Sequence, residues 1–268
     1  MLRANVVKQA LQRGEPVIGT LLSEVRSPGF VWMVANAQFD FVFIDMEHSS
    51  NDLSTVSDLL KVARLAGIVP IVRVPDATYH VIGPVLDAGA MGLMLPRVET
   101  RDQVEAFVRS MKYPPLGERG GSTGHAATDY QAASPAELVN HMNEHTLAII
   151  QIERQRAVEN LDDLLSVPGV DVALVGPFDL AISLGEPSMS APAVREAILQ
   201  VIAAARRHGV AAGIHVGDVE TALAWQALGM TMLSCNTDLG FFRTATEQTA
   251  AALRRGLGRR HQDGAIKG

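Results

Sequence analysis

The stretch Phe41-Val42-Phe43-Ile44-Asp45 shows the pattern that decides the fold. Four β-branched or aromatic residues run without a polar interruption and stop at a carboxylate, which is typical of a parallel strand covered on both faces. Seven further runs have this character, and amphipathic stretches separate them. The eight predicted strands span residues 17–22, 41–44, 69–73, 92–95, 147–152, 172–175, 211–214 and 231–234.

The segments between the predicted strands carry helix signals. Thr100 and Gln103 fit a capping box, and Ser27 before Pro28 fits an N-cap followed by proline at the first helical position. Strands that alternate with helices predict βα units and a parallel sheet. Eight units in 268 residues match the roughly 250 residues of a (β/α)8 barrel. We therefore expect an α/β fold, a TIM barrel, forming one domain over residues 1–268.

Composition narrows the class of partner. Hydrophobic residues make up 47% of the chain, and the net charge is a modest -6. Lys and Arg form no block except near the C-terminus, so we expect neither a nucleic acid nor a membrane as partner, but a small molecule. The single Cys235 and the absence of an apolar signal segment in residues 1–12 lead us to expect a cytoplasmic protein.

Polar residues follow most of the predicted strands directly. In a (β/α)8 barrel the active site lies at the carboxyl ends of the strands, so these side chains should gather at one rim. The rim residues are Asp45, Glu47, His48, Arg73, Arg97, Gln151, Glu153, Asp179 and His215.

Two acids from adjacent βα units suggest a cation site. Glu153 and Asp179 supply hard oxygen ligands that suit Mg²⁺ or Mn²⁺. Alternatively, Glu153 pairs with Arg154 or Arg156 outside the barrel. The segment 175–180 runs from a strand through Gly-Pro into a helix start, whose free N–H groups fit a carboxylate, although a plain tight turn would have the same sequence.

Lysine usage bears on whether the site works through a covalent amine. A Schiff-base enzyme needs a lysine at the barrel mouth, and lysine occurs only at Lys8, Lys61, Lys112 and Lys267. Two of these lie near the termini and two in or at the end of predicted outer helices. We therefore expect a metal in place of an iminium.

Four motifs, taken in order, carry a family resemblance. They are Phe39-Asp40-Phe41-Val42-Phe43-Ile44-Asp45-Met46-Glu47-His48, Tyr113-Pro114-Pro115 with Arg119-Gly120, Gln151-Ile152-Glu153, and Val175-Gly176-Pro177-Phe178-Asp179-Leu180. Together they resemble the HpcH/HpaI family of class II pyruvate aldolases, which includes 4-hydroxy-2-oxoheptanedioate aldolase and 2-dehydro-3-deoxyglucarate aldolase. The resemblance extends from about residue 17 to residue 255.

The resemblance implies reversible aldol cleavage of a 4-hydroxy-2-oxo acid to pyruvate and an aldehyde. It implies a divalent cation, Mg²⁺, Mn²⁺ or Co²⁺, at Glu153 and Asp179, with Arg73 steadying the keto oxygen and His48 acting as base beside Asp87. Further substrate-binding residues would be Asp45, Gln151, Gly176, Phe178 and Asp179. It also implies a homo-oligomer, a trimer or hexamer, with the helix after Thr237 packed on a neighbouring subunit.

Some features stay open at this point. Arg97 stands where the family more commonly has an uncharged residue, and it could contact the aldehyde. We expect His125 and His215 to be surface or packing residues rather than acceptor contacts. The alternatives are a citrate-lyase-like acyl-CoA lyase or another enolate-forming enzyme, and a non-catalytic barrel that binds a 2-oxo acid.

Overall fold

Eight parallel strands close into a barrel in the order in which they occur along the chain, in a computed structural model that describes residues 2–257. Each strand pairs with the next, and the last returns to the first. The strands are β1 (Val17–Leu22), β2 (Phe41–Asp45), β3 (Val69–Arg73), β4 (Gly92–Leu95), β5 (Leu147–Ile152), β6 (Val172–Val175), β7 (Ala211–Val216) and β8 (Met232–Thr237).

Helices alternate with these strands, and a short 3₁₀ segment, Ala126–Thr128, lies in the long connection before β5. The helices are α1 (Val6–Gln12), α2 (Pro28–Asn36), α3 (Leu53–Ala66), α4 (Tyr79–Asp87), α5 (Arg101–Met111), α6 (Pro135–His145), α7 (Gln155–Glu159), α8 (Leu161–Leu165), α9 (Pro177–Ser183), α10 (Pro192–His208), α11 (Val219–Gln226) and α12 (Asp238–Gly256). The predicted (β/α)8 barrel is confirmed. None of the helices in residues 2–257 is both long and apolar enough to cross a membrane.

The barrel interior follows the two-residue period of its strands. In β2, Phe41 and Phe43 are fully buried inside the barrel, and in β3 Ile71 occupies the same layer. Because side chains alternate along a strand, the next inward positions are Asp45 and Arg73. The inward side chains therefore change from apolar to charged over two residues in each of these strands, and the charged ones form the rim.

Helix α1 covers the opposite end of the barrel. Its Val7 and Leu11 pack into the interior cluster, and Lys8 Nζ lies 2.9 Å from Asp171 Oδ1. The buried Lys112 donates to the carbonyl of Thr146 at 2.8 Å, an oxygen that Lys8 also contacts. This end is thus closed by apolar packing and paired polar groups.

Two predicted strands continue further than the sequence indicated. β7 extends to Val216 and β8 to Thr237, so His215 lies inside a strand rather than after it. The last residues of both strands include polar side chains, so the apolar pattern used to predict buried strands ended before them. The capping box of Thr100 and Gln103 is present as expected.

Helix α12 leaves the barrel after its first turn. Asp238 is buried and accepts hydrogen bonds from the backbone amides of Ser23, Glu24 and Val25, which fixes the start of the helix. Nearly all of residues 241–257 are exposed, including Phe242. The helix therefore presents an apolar surface that the described chain does not cover.

Candidate active site

A cavity of ≈ 330 Å³ opens at the carboxyl ends of the strands. This is the end at which (β/α)8 barrels carry their active sites. Its lining comprises Leu21, Ser23, Phe43, Asp45, His48, Arg73, Met94, Gln151, Leu174, Gly176, Pro177, Phe178, Asp179, Met189, His215, Val216, Gly217 and Thr237. Eight of the predicted site residues line it, namely His48, Arg73, Asp179, Gln151, Gly176, Phe178, Asp45 and the less favoured His215.

Arg73 is held in a fixed orientation by two acids. Its Nε and Nη2 donate to the two carboxylate oxygens of Asp45 at 2.8 and 2.7 Å, and its Nη1 lies 3.3 Å from Glu47. Burial lowers the pKa of Arg73, but the hydrogen bonds and charge of Asp45 outweigh that effect and raise it above its ordinary value. A permanent cation therefore lies in the cavity wall with little freedom to move.

Glu153 lies directly behind the cavity wall, with only 2% of its surface exposed. Its Oε1 accepts a hydrogen bond from the Arg97 backbone amide at 2.8 Å, and its Oε2 accepts one from Gln151 Nε2. Burial, together with the charges of Glu47 and Asp179, raises the pKa of the Glu153 carboxyl to about 7, although the hydrogen bond from the Arg97 amide opposes the rise. The alternative pairing with Arg154 or Arg156 is not among the contacts of Glu153.

Gly176, which lines the cavity, approaches this acid closely. A Cβ at position 176 would lie 2.6 Å from Gln151 Nε2 and 2.8 Å from Glu153 Oε2. A larger residue at position 176 would therefore displace the ends of these two side chains. The Gln151 amide and the Glu153 carboxylate therefore lie next to each other at the edge of the cavity.

The chain turns into α9 immediately after Gly176. Asp179 lies in the first turn of this helix and lines the cavity, while Phe178 lines it with 64% of its surface exposed. The N–H groups of a first turn have no partner within the helix. Phe178 and Asp179 thus offer backbone donors beside a carboxylate.

The residues present fit a divalent cation. Burial is the main cause of the raised pKa of Glu153, and the negative charges of Glu47 and Asp179 contribute to it by repulsion. A cation would relieve this repulsion, and the Oε1 atom of Gln151 is buried without a hydrogen-bond partner. Within residues 2–257, no three or more His, Cys, Asp or Glu side chains are grouped so that they could hold a metal ion. A cation held by Glu153 and Asp179 would therefore take its other ligands from water and substrate.

His48 lies in the loop after β2 and is more exposed than the other polar residues of the cavity. Its side chain is 62% exposed, and Nε2 lies 3.7 Å from Glu47 Oε2. The loop is shaped by Asp45, which accepts hydrogen bonds from the amides of Glu47 and His48. His48 is therefore accessible to a substrate in the cavity.

Asp87 does not join His48 within one chain. It is the last residue of α4, five residues before β4 begins, so it lies towards the amino end of the barrel. There it pairs with Arg119 at 2.6 Å and lies 3.7 Å from His125. A helix that starts at the rim runs back along the barrel, so its last residue lies at the opposite end. The pairing with His48 stays a prediction that requires a second copy.

Arg97 contacts two acids of the rim, Glu153 and Glu47, which the sequence did not predict. Its backbone is left-handed, with φ 55°, and this conformation directs its amide at Glu153. The guanidinium lies 3.0 Å from Glu47 and donates to the Pro75 carbonyl. Because Arg97 does not line the cavity, its place favours support of the two acids over contact with an aldehyde.

Several residues in or beside the cavity are not among the residues predicted from the sequence. Ser23, Met189 and Thr237 line the cavity, and the buried Ser234 contacts His215. Ser23 directly follows the predicted strand 17–22, so the position rule that identified the other rim residues could also have identified it. Register could have identified Ser234, because it pairs directly with His215 across β7 and β8. That signal exists only once the neighbours of a strand are known.

The described lysines, Lys8, Lys61 and Lys112, lie away from the cavity. Among the described residues no lysine lines the cavity: Lys8 and Lys112 are buried at the amino end, and Lys61 pairs with Asp58 on the surface. Lys267 lies outside the described residues.

The chain matches known proteins over most of its length. The family model described as HpcH/HpaI aldolase/citrate lyase matches residues 21–245. A 5-keto-4-deoxy-D-glucarate aldolase of Shigella dysenteriae is 35% identical over 250 residues, covering 92% of this chain and 95% of that protein.

Solved structures agree with this match. An HpcH/HpaI aldolase from Desulfitobacterium hafniense superposes with a TM-score of 0.88 at 34% identity, covering 92% of this chain and 96% of that one. The citrate synthase SbnG superposes with a TM-score of 0.83 at 29% identity, covering 93% and 98%. The chain therefore belongs to the HpcH/HpaI aldolase/citrate lyase family and is an enzyme of the aldolase type.

Proposed function

We propose that the enzyme cleaves a 4-hydroxy-2-oxo acid reversibly to pyruvate and an aldehyde, with Mg²⁺, Mn²⁺ or Co²⁺ bound at Glu153 and Asp179. The observation that carries this proposal is the close packing of Gln151 and Glu153 against Gly176, beside the fixed cation Arg73. Asp179, Gln151 and Arg73 line one cavity, and Glu153 lies beside the cavity residue Gly176, which supports two acidic ligands, an amide and a permanent positive charge at one site. No lysine among the cavity residues offers the alternative covalent route.

Pyruvate would bind between β5, β6 and the start of α9. When bound, the divalent cation supplies Lewis acidity towards the keto oxygen. Gln151 orients the Glu153 carboxylate through its side-chain N–H. The amides of Phe178 and Asp179 would donate to the substrate carboxylate, as the first turn of a helix does for anions.

Arg73 would stabilise the charge that develops on the keto oxygen. Asp45 and Glu47 hold its guanidinium before substrate arrives, so no reorganisation is needed during the reaction. A donor fixed in this way contributes most where negative charge grows. Asp45 acts through Arg73 and is thus a positioning residue.

His48 would move the proton. In the cleavage direction its imidazole accepts the proton of the 4-hydroxyl group, the C4–O bond becomes a carbonyl, and the C3–C4 bond breaks. The electron pair of that bond remains on the three-carbon fragment as the enolate of pyruvate. A proton then adds to C3 and gives pyruvate.

The relative from Shigella dysenteriae guides the substrate class. It is named for 5-keto-4-deoxy-D-glucarate, a hydroxylated keto diacid. Because the two chains are 35% identical over nearly their whole lengths, we infer that this enzyme also takes a hydroxylated 2-oxo acid. Pyruvate release from that compound is the direct test: cleavage that is lost with a chelator and restored by Mg²⁺, Mn²⁺ or Co²⁺ supports the proposal. Undiminished cleavage by metal-free enzyme would contradict it.

We also propose that the enzyme is a homo-oligomer, a trimer or hexamer. The exposed helix α12 supports this, since Phe242 and Leu253 are 70% and 62% exposed on a segment that leaves its own barrel. Asp87 could then reach the His48 of another copy. Sedimentation should give an oligomer, and mixing inactive His48→Ala and Asp87→Asn chains should restore part of the activity. A monomer with full activity would contradict the assembly.

One rival reaction has a specific observation in its favour. The similar structure SbnG is a citrate synthase, so this fold also supports enolate chemistry of another kind. An assay with acetyl-CoA and oxaloacetate, run beside the pyruvate assay, separates the two reactions. Citrate formation without pyruvate release would favour the rival.

A further inference from the structure

His215 and Ser234 form a polar pair in the cavity that no step described so far uses. The two residues are register partners on β7 and β8, and the distance from His215 Nδ1 to Ser234 Oγ is 2.8 Å. His215 lines the cavity, while Ser234 is fully buried beside it. An interior histidine with its own buried partner is a built feature rather than a surface residue.

The hydroxyl of Ser234 decides which nitrogen of His215 carries the proton. Among the described residues, the only hydrogen-bond partner of this buried hydroxyl is His215 Nδ1. A buried O–H group needs an acceptor, so Ser234 donates and Nδ1 accepts. The remaining proton of a neutral ring then lies on Nε2.

The surroundings keep the ring neutral. Burial, followed by the positive charge of Arg73, lowers the pKa of His215 to about 4, against a smaller opposing effect of Asp45. The pair therefore presents one N–H group rather than a cation. In the described part of the chain Nε2 has no protein partner and is not enclosed, so its N–H is free for a molecule in the cavity.

We propose that His215 is a specificity-determining residue whose Nε2–H donates a hydrogen bond to an oxygen substituent, a hydroxyl or a carboxylate, on the aldehyde part of the substrate. This rests on the proposed function. There the oxygens of pyruvate already have partners, namely the cation, Arg73 and the amides of Phe178 and Asp179. A further fixed donor on β7 is left for the other half of the molecule. Ser234 is a positioning residue, because it selects the tautomer.

The test compares aldehydes of similar size with and without an oxygen substituent. Wild-type enzyme and His215→Leu are assayed for addition of pyruvate to glycolaldehyde, glyoxylate and propionaldehyde. We expect His215→Leu to lower the kcat/KM ratio of an oxygenated aldehyde to propionaldehyde by roughly 10- to 100-fold, mainly through KM, because a lost hydrogen bond is worth about 1–3 kcal/mol. The aldehyde whose ratio falls more identifies the substituent, hydroxyl or carboxylate.

Controls keep the outcome interpretable. His215→Asn retains an N–H donor and should restore part of the ratio, whereas His208→Leu on α10 should change nothing. In ¹⁵N NMR spectra the wild-type ring should be the Nε2–H tautomer, and Ser234→Ala should produce a mixture. An unchanged ratio in His215→Leu, or an Nδ1–H tautomer in the wild type, overturns the inference while the aldolase reaction stands. Absence of pyruvate addition by the wild type overturns the proposed function as well.

Discussion

The two ends of the barrel both bury charged side chains, yet they differ in how these groups are satisfied. At the amino end Lys8 contacts Asp171 and the Thr146 carbonyl, and Asp171 also accepts from the Ala148 amide. At the carboxyl end Arg73 pairs with Asp45, but the rim retains additional acids and opens to a cavity.

The difference shows what separates a structural ion pair from a reactive site. At the amino end the charged atoms of Lys8, Lys112 and Asp171 all have protein partners, and α1 packs over the interior cluster there. At the carboxyl end the Oε1 of Gln151 lacks a partner and the pKa of Glu153 is raised to about 7 by burial and neighbouring acids. Unused bonding capacity beside open space, rather than buried charge alone, marks the site.

The largest effect should come from removing charge at the carboxyl end. Glu153→Gln keeps the size of the side chain but makes it a poor ligand for a hard cation. We expect kcat/KM to fall by roughly 10³-fold, the several kcal/mol that Lewis-acid catalysis contributes. Cation titration calorimetry should show lost binding with the fold intact, and the matched surface variant Glu105→Gln should bind normally. Full activity of Glu153→Gln would refute the cation site.

His48 should matter for turnover but not for the cation. His48→Ala should lower kcat by roughly 10²- to 10⁴-fold, the range of a positioned acid or base, while cation affinity persists. If Asp87 of another copy supports His48, the double variant His48→Ala with Asp87→Asn should lose no more than the larger single loss. Multiplied losses would show that the two residues act independently.

The amino end should respond in stability instead of activity. Asp171→Asn leaves the buried Lys8 without its counter-charge, which should lower the free energy of unfolding by about 3 kcal/mol. Urea denaturation measures this loss. The activity and cation affinity of the folded fraction should equal those of the wild type. A loss of cation binding in Asp171→Asn would remove the distinction between the two ends.

Lys112 should give the amino end a pH dependence. Burial, and then the charge of Lys8, lower the pKa of Lys112 from 10.5 to about 7 in the folded chain. Between pH 7 and 10.5 the unfolded chain keeps a proton that the folded chain has lost, so the stability should rise with pH by up to about 1.4 kcal/mol per unit. Denaturation at pH 7.5 and 8.5 should show this rise relative to Lys112→Met. An identical slope in both proteins would contradict it.

The sequence was sufficient where periodicity and chain order decide the outcome. Apolar runs such as 41–44 and 69–73 predicted the strands, because a strand buried on both faces needs an unbroken apolar segment. The same logic predicted Asp45, Arg73 and Glu153 at one rim. Their positions follow from where each run ends.

The sequence was insufficient where the position of a side chain depends on residues of another strand or on an unusual backbone conformation. The left-handed conformation of Arg97, which aims its amide at Glu153, has no signature in an arginine. The sequence does not indicate the role of His215, because its partner Ser234 lies 19 positions away on another strand. The pairing of Asp87 with His48 rests on the family resemblance alone. The direction of α4 takes Asp87 away from His48 of its own chain.

Exchange of the methyl protons of pyruvate in D₂O, followed by mass spectrometry, tests the central claim that this chain forms the pyruvate enolate with a cation at Glu153 and Asp179. We predict exchange with Mg²⁺, Mn²⁺ or Co²⁺, none after chelation or in Glu153→Gln, and no covalent adduct after borohydride reduction. Exchange at the full rate by metal-free enzyme, or pyruvate trapped by borohydride on Lys61 or Lys112, would contradict it.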